Sequence, residues 1–494
     1  MPSASPFARP PRTVAALLLG MSCLSACTVG PDYRGTPQVA STALRRGDFV
    51  RAPQQGLDRG AAPAAWWRSL GDAQLNALIE DALRNSPDLQ AARARLRQAR
   101  AGLRESHANA MPKLSASFAG VRMRSPDTAA VLSGEDGSAE STGRAPLQWY
   151  SSGFDASWEI DLFGGTRRAV EAASAQAEAV AADLADLHVS LAAEVAQRYI
   201  DLRDAQLRLA LAQESVALQQ RSLALTQQRR SRGVTPEADV ERLRGNVEST
   251  RAAQVPLDAE LSEALDRLAV LCGREPGALD AQLAARAPLP SLPAEVAVGE
   301  PAALLRQRPD IRAAERRLAS SQAEIGERTA DLFPKLSLFG SLGFSASDPG
   351  HLYRKDNATW LGVPYLSWNF LDFGRSRARI DQAEARRDEM AATYRGTVLA
   401  ALRDANQALS RFGHQRVDLA SQTEIEASAA RSAALVSQRY RAGVASLIDL
   451  LDVQRADFSA RQNRIAAQAS LLKDFVSLQK SLGLGWQAQA SVGG

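Results

Sequence analysis

Residues 111–115 read MPKLS and residues 333–337 read FPKLS. A shared tight turn would explain one such match, whereas a duplicated architecture predicts further matches in the same order. Upstream of the copies lie SPDLQAARARLRQARAGLRESHANA (86–110) and RPDIRAAERRLASSQAEIGERTADL (308–332), which align without a gap. Downstream, WEIDLFGGTRR (158–168) pairs with WNFLDFGRSRA (368–378), and QQRRSRGVTPEADV (227–240) with SQRYRAGVASLIDL (437–450). Three blocks in one order mark a tandem internal repeat. The first copy carries extra residues between Pro112 and Trp158, in the Gly/Ser/Asp-rich stretch 125–146, which reads as a loop.

The start of the chain bounds its destination. Arg9 and Arg12 precede the apolar run VAALLLGMSCL, which leads into Leu24-Ser25-Ala26-Cys27. A basic segment, a short apolar core and small residues at a cut site describe a secretory signal over 1–26, too short for a membrane span. Leu-Ser-Ala-Cys resembles a bacterial lipobox, so Cys27 is expected to be the acylated first residue of the mature chain. Thr28 follows it, and the resemblance implies outer-membrane delivery; a plain signal peptide cut near Ala26 is the alternative. Cys23 leaves with the signal and acylation uses Cys27, so only Cys272 of the three cysteines remains and no internal disulfide forms. Cys272, in the apolar helix end LAVLCG, reads as a small core residue.

A formal net charge of +4 on 494 residues, without a basic run or aromatic–basic interleaving, argues against a nucleic-acid partner. The four histidines (107, 188, 351, 414) are scattered, no metal-ligand spacing occurs, and no glycine-rich phosphate loop follows a strand. The expectation is a non-enzyme without metal or soluble cofactor.

The periodicity changes at each PKLS. Ahead of it are helical patterns, with Ser86 as an N-cap and Pro87 in the first turn. From Leu114, apolar residues alternate with polar ones. Tyr150, Phe154, Ala156, Trp158 and Ile160 alternate with Ser151, Asp155, Ser157, Glu159 and Asp161; the second half repeats this with Leu336, Leu338, Leu342 and Phe344, then with Trp360, Leu366, Trp368 and Phe370 against Tyr365, Ser367 and Asn369. Each run is about ten residues, the length of a tilted transmembrane strand, with aromatics at the ends. A soluble sandwich would show the same alternation; secretion, lipidation and carboxylates on one side favour the membrane. Asp155, Ser157, Glu159 and Asn369 would then line water.

After each strand pair, residues 165–231 and 375–441 contain no proline. Roughly 65 helical residues reach about 100 Å, beyond a globular-domain helix. Val195, Leu202, Leu209, Val216 and Leu223 keep a seven-residue spacing, and Leu211, Leu218 and Leu225 form a second line on another flank. Two seams suit a helix with neighbours on both sides, as in the wall of a tube. Each long helix ends at a Gly-Val turn, Gly233-Val234 or Gly443-Val444, before a return helix over 236–271 or 446–482. The expected organisation is an extended N-terminal arm at 27–70, with Trp66-Trp67 packing on the body. A first repeat follows at 71–285 (β-hairpin 113–161, helical hairpin 165–271), then a linker at 286–300. The second repeat is 301–485 (β-hairpin 335–371, helical hairpin 375–482), with a tail at 486–494. Four membrane strands leave two open edges, whose unpaired backbone groups cost several kcal/mol each in hydrocarbon. Several chains must therefore share a barrel: two would give a narrow, side-chain-filled one, three would give twelve strands around an aqueous lumen.

The lipobox followed by CTVGPDY, the duplicated PKLS, the W-x-x-D-x-F-G type blocks and RYRAGVASLIDLLDVQR (439–455) resemble the outer membrane factor family. These are the TolC-like channels, and the lipidated OprM/NodT-like branch fits best. The resemblance spans nearly the whole mature chain. It implies a mainly α fold with membrane β: a homotrimer with a twelve-stranded β-barrel, four strands per chain, continued by a long periplasmic α-helical barrel. It also implies passive export of small molecules through the Gram-negative outer membrane, with a periplasmic adaptor and a proton-driven inner-membrane transporter as partners. The exit duct of a type I protein secretion system would share the architecture, and a non-pore coiled-coil scaffold lipoprotein is the reading from another class. On the resemblance, Ile448, Asp449, Asp452, Arg455 and Tyr440 form the periplasmic gate, and Gly233, Val234, Gly443 and Val444 are the adaptor-contact tips. The family's best-known member has a basic residue where this chain has Ala445, so that tie is missing here. Asp449 and Asp452 lie three apart, on one helix face, where carboxylates near a helix start also serve the macrodipole.

Overall fold

The computed structural model describes residues 28–53, 56–58, 60, 63–123 and 147–486. The signal sequence, Cys27, the 125–146 loop and all but the first residue of the tail lie outside them. In chain order the elements are α1 (Ser41–Arg46), β1 (Leu57–Asp58), a 3-10 turn at Trp66–Leu70, α2 (Ala73–Asn85), α3 (Pro87–Asn109), β2 (Lys113–Met123), β3 (Leu147–Ile160), α4 (Gly165–Ser231), α5 (Glu237–Ala252), α6 (Gln254–Leu271) and α7 (Asp280–Leu283). There follow β4 (Val296–Ala297), α8 (Pro301–Gln307), α9 (Pro309–Ala330), β5 (Lys335–Ala346), two 3-10 turns, β6 (Ala358–Ser367), α10 (Arg375–Arg441) and α11 (Leu447–Ser481). The long helices α4 and α10 have 67 residues each.

One unit takes in residues through Gly35, Gln98–Ala177 and Arg316–Ala391. Its centre is an antiparallel sheet in the order β2-β3-β5-β6. Lys113 pairs with Ser157 in β2–β3, and Lys335 with Ser367 in β5–β6, so the matched lysines meet matched serines in both hairpins. Trp158 Nε1 donates to Ala110 O and Trp368 Nε1 to Leu332 O, each at 3.0 Å, again at matched positions. Because antiparallel partners face the same way, Leu114, Phe154, Trp158, Leu338, Leu342, Trp360 and Leu366 share one face, all of them well exposed. Asp155, Ser157, Glu159, Ser337 and Ser341 share the other, where Ser117 Oγ donates to Asp155 Oδ2 at 2.6 Å. That face also holds Phe339 and Tyr365, whose rings meet edge-on at 6.1 Å. Gly153 opposes Gly343 on the central pair, and a Cβ on Gly343 would lie 2.7 Å from Gly153 Cα. Only glycine lets these strands approach so closely.

Asn369 is a correction. β6 stops at Ser367, so Asn369, Trp368 and Phe370 lie past the strand rather than on it. In β3 the matched residues stay paired because β5 lies alongside, with Glu159 opposite Ser337 and Ile160 opposite Leu336. β6 is a sheet edge and has no second neighbour among the described residues to hold those positions.

The other unit comprises Thr36–Arg97, Glu178–Glu315 and the chain from Ala392 onward. Its core joins Trp66, Leu70, Leu75, Ile79, Tyr199, Leu202, Leu268, Phe412, Phe475 and Val476, all nearly solvent-free. Trp66 meets Trp67 and Phe475 in edge-to-face contacts at 5.8 and 5.9 Å. The stretch before the body is less extended than its composition suggests: it contains α1 and the 3-10 turn, and β1 pairs in parallel with β4 inside the 286–300 linker. Asp72 caps α2 by accepting from the amides of Gln74 and Leu75 at 2.9 and 3.0 Å, and its other oxygen accepts from Tyr199 Oη at 2.8 Å. Burial pushes the Tyr199 phenol up to about 12. The first return helix is a second correction: it divides at Ala253 into α5 and α6. Pro256 has no amide hydrogen, and its ring crowds the carbonyl four residues back, so the helix breaks there. The matched α11 contains no proline and runs unbroken.

The two heptad lines of α4 separate by burial. Val195 and Leu202 are fully buried and Val216 is 9% exposed, while Leu218 and Leu225 are 55% and 61% exposed. The first seam is buried or half-buried within the chain, and the second is half-buried at Leu211 and open at Leu218 and Leu225.

Candidate functional site

Both hairpin tips use the same backbone device. Gly233 and Gly443 adopt φ of 73° and 77°, in the left-handed region that favours glycine. The Gly233 amide donates to Arg230 O and the Val234 amide to Arg229 O; Gly443 and Val444 donate likewise to Tyr440 O and Arg439 O. These bonds satisfy the last helical carbonyls and turn the chain. Val234 and Val444 are left 73% and 64% exposed at the two apices. Arg230 and Glu237 form an ion pair across the first tip.

Beyond the second tip, Ser446 caps α11 and forms a reciprocal box with Asp449. Ser446 Oγ accepts from the Asp449 amide at 3.1 Å, while Asp449 Oδ2 accepts from the Ser446 amide at 3.0 Å and its hydroxyl at 2.8 Å. These hydrogen bonds, with Arg439 nearby, hold the Asp449 carboxyl below the usual aspartate range. Leu447, Leu450 and Leu451 turn inward onto Leu243, with Tyr440 and Leu223 packed against them. Tyr440 also contacts the other hairpin: the Arg229 guanidinium lies 5.9 Å from its ring centroid and donates to its hydroxyl at 3.4 Å. Arg455 donates to Asn246 Oδ1 on α5 at 3.1 Å and lies 3.9 Å from Asp452. Ile448, Asp449 and Asp452 remain on the exposed side of α11.

Of the five candidate gate residues, Tyr440 and Arg455 therefore reach a neighbouring helix of the same chain, and Ile448, Asp449 and Asp452 share an open face. Their partners Arg229, Asn246, Leu243 and Ser446 escaped the sequence reading. Ser446 had a legible signal in the Ser-x-x-Asp spacing; Asn246 had none, since it enters through packing of α5 on α11. On the sheet, Asp155, Ser157 and Glu159 share the polar face, and Ser157 and Glu159 line a cleft of about 640 Å³ with Lys113, Glu327 and Lys335. Among the described residues no group of three His, Cys, Asp or Glu is placed to hold a metal, and no helix is long and apolar enough to cross a membrane.

Residues 78–274 and 301–484 match the sequence model of outer membrane efflux proteins, one stretch in each half. The chain belongs to the outer membrane efflux protein family. Outer membrane protein OprJ of Pseudomonas aeruginosa is 32% identical over 488 residues, covering 98% of both chains. The probable efflux pump outer membrane protein TtgC of Pseudomonas putida is 30% identical over 94% of each. The solved structure of the outer-membrane channel OprN superposes with a TM-score of 0.85 at 36% identity, over 94% of this chain and all of that one. The family of efflux channels sets the location of this protein as the Gram-negative outer membrane and its role as efflux.

Proposed function

We propose that this efflux protein works as a homotrimer: three four-stranded sheets close a twelve-stranded barrel, continued by an α-helical barrel from the helical hairpins. The observation that carries the reading is the sheet itself. It has an apolar exposed face, a face bearing Asp155, Ser157 and Glu159, and two edges, β2 and β6, without partners among the described residues. Open edges are untenable in hydrocarbon, and head-to-tail closure removes them. The open Leu218–Leu225 seam of α4 supports the same arrangement. The halves read as a tandem duplication, each supplying one β-hairpin and one helical hairpin to the wall.

The duct is passive and completes a tripartite system with a periplasmic adaptor and a proton-driven inner-membrane transporter. Relatives named for pyoverdine export and for toluene or antibiotic efflux suit a water-lined exit whose cargo is chosen elsewhere. The Gly233-Val234 and Gly443-Val444 apices, with their bare valines, are the adaptor contacts. Ile448, Asp449 and Asp452 face the pore axis at the periplasmic end, where three copies make acidic rings that slow anions and favour cations. Tyr440 and Arg455 hold that face in place through Arg229 and Asn246. Cys27 carries the lipid. Reconstitution in planar bilayers tests the channel, and absence of conductance would sink it. Replacing Asp449 and Asp452 together by Ala should raise the leak several-fold; unchanged conductance discards the gate.

A further inference from the structure

The first residues after Cys27 are bound into the strand-bearing unit by a site that the efflux role leaves unexplained. Arg168, in the first turn of α4, is 4% exposed. Its guanidinium donates to Asp32 Oδ1 at 2.5 Å, to Glu171 at 2.8 Å, and to the carbonyls of Val29 and Gly30 at 3.4 Å each. The Val29 amide donates to Phe163 O at 3.0 Å, three residues past the end of β3. Gln322 donates to Pro31 O at 3.4 Å, and Arg316 lies 5.8 Å from the Tyr33 ring centroid.

Glycines shape the slot. Gly164 has φ of 83°, and a Cβ there would meet Thr28 Cγ2 at 2.6 Å; a Cβ on Gly326 would meet the Arg168 side chain at 2.8 Å. The repeat shows that this is a dedicated feature. At the matched positions of the other half, Gly164 is kept as Gly374, but Arg168 is replaced by Ala378 and Gly326 by Arg104. One half has the slot, and each chain has one N-terminal arm to fill it.

We propose that residues 28–32 and this Arg168–glycine slot form an anchor dock, which fixes the lipid attachment point at the corner between β3 and α4. The inference rests on acylation at Cys27. Thr28 packs against Gly164 and Val29 bonds Phe163, so the chain is held near the end of β3 from the first residue after the acylation site onward. A single acyl chain binds a membrane only marginally, and each further contact held in register with it adds to the attachment. A rigid link makes its insertion and that of the sheet one event, because the second contact becomes intramolecular at fixed geometry.

The test is hydrogen exchange of the full-length, detergent-solubilised protein, followed by mass spectrometry over residues 28–33, with palmitate labelling in parallel. Wild type should show protection of the Val29 amide on the order of a hundredfold over free chain, and Arg168→Met should remove about tenfold or more of it. Asp32→Asn, on a side chain 75% exposed, leaves the body folded and should give a smaller loss in the same segment. Cys27→Ser should lose the label and keep the protection. An unprotected segment in wild type overturns the dock. So does unchanged exchange in both Arg168→Met and Asp32→Asn, or loss of protection in Cys27→Ser, which would mean that lipid alone holds the arm. Protection in a wild type that takes up no palmitate would retire the lipid reading and leave the dock as a fastening of the chain start.

Discussion

Asp449 accepts from both the backbone and the hydroxyl of Ser446, while Asp452, on the same helix face, lies 3.9 Å from Arg455. The first carboxylate is thus part of the helix start as well as a gate candidate. Its folded pKa is depressed, so its contribution is complete above the unfolded value near 3.8 and is lost as pH falls through the folded one. Asp449→Asn should therefore melt below wild type at pH 7, and the gap should narrow as pH drops below the unfolded value of 3.8. A gap that is constant with pH would show that the charge is not what the cap uses. Cys272 offers a contrast among single residues. Its thiol points at Leu78 O, and burial pushes it up to about 11, so it stays protonated and serves as a small core side chain.

At the scale of elements, the tip ends of the two hairpins meet in a small leucine cluster. Leu243 on α5 is fully buried against Leu447, Leu450 and Leu451 of α11. Leu243→Ala should cost about 2–4 kcal/mol at this contact. Faster hydrogen exchange in both tips, with the Trp66–Phe475 core unaffected, would register it; an effect confined to α5 would show that the tips do not brace each other. The Gly-Val turns, the 67-residue helices and three of the four strands were legible, because periodicity and the absence of proline act locally. The break at Ala253 was legible too, in Pro256, but the repeat with an unbroken α11 masked it. The end of β6 was not, since Trp360 through Phe370 keep the alternation and only the missing neighbour ends the strand.

For the whole molecule, the repeat gives the proposed closure of the barrel a specific register. Within the chain, Ser157 of β3 opposes Phe339 of β5. The matched residues are Ser367 on β6 and Ser117 on β2, at the two free edges. If neighbouring chains pair as the halves do, Ser367 of one copy faces Ser117 of the next. A Ser117→Cys, Ser367→Cys double variant should then oxidise to a covalent trimer on denaturing gels, and each single variant should stay monomeric. Trimers formed only by cysteines displaced by two residues would reveal a register that departs from the internal one.

The amino-acid order alone determined the repeat, the lengths of the helices, the alternation of the strands and the left-handed turns, because each depends on neighbours a few residues away. Only the tertiary structure decided which seam of α4 is filled, where β6 stops, that Tyr440 and Arg455 reach Arg229 and Asn246, and that Arg168 grips residues 29–32. Those contacts join residues roughly 130 to 210 positions apart. No local pattern encodes such a partner; it is chosen when helices pack and a buried guanidinium must find acceptors.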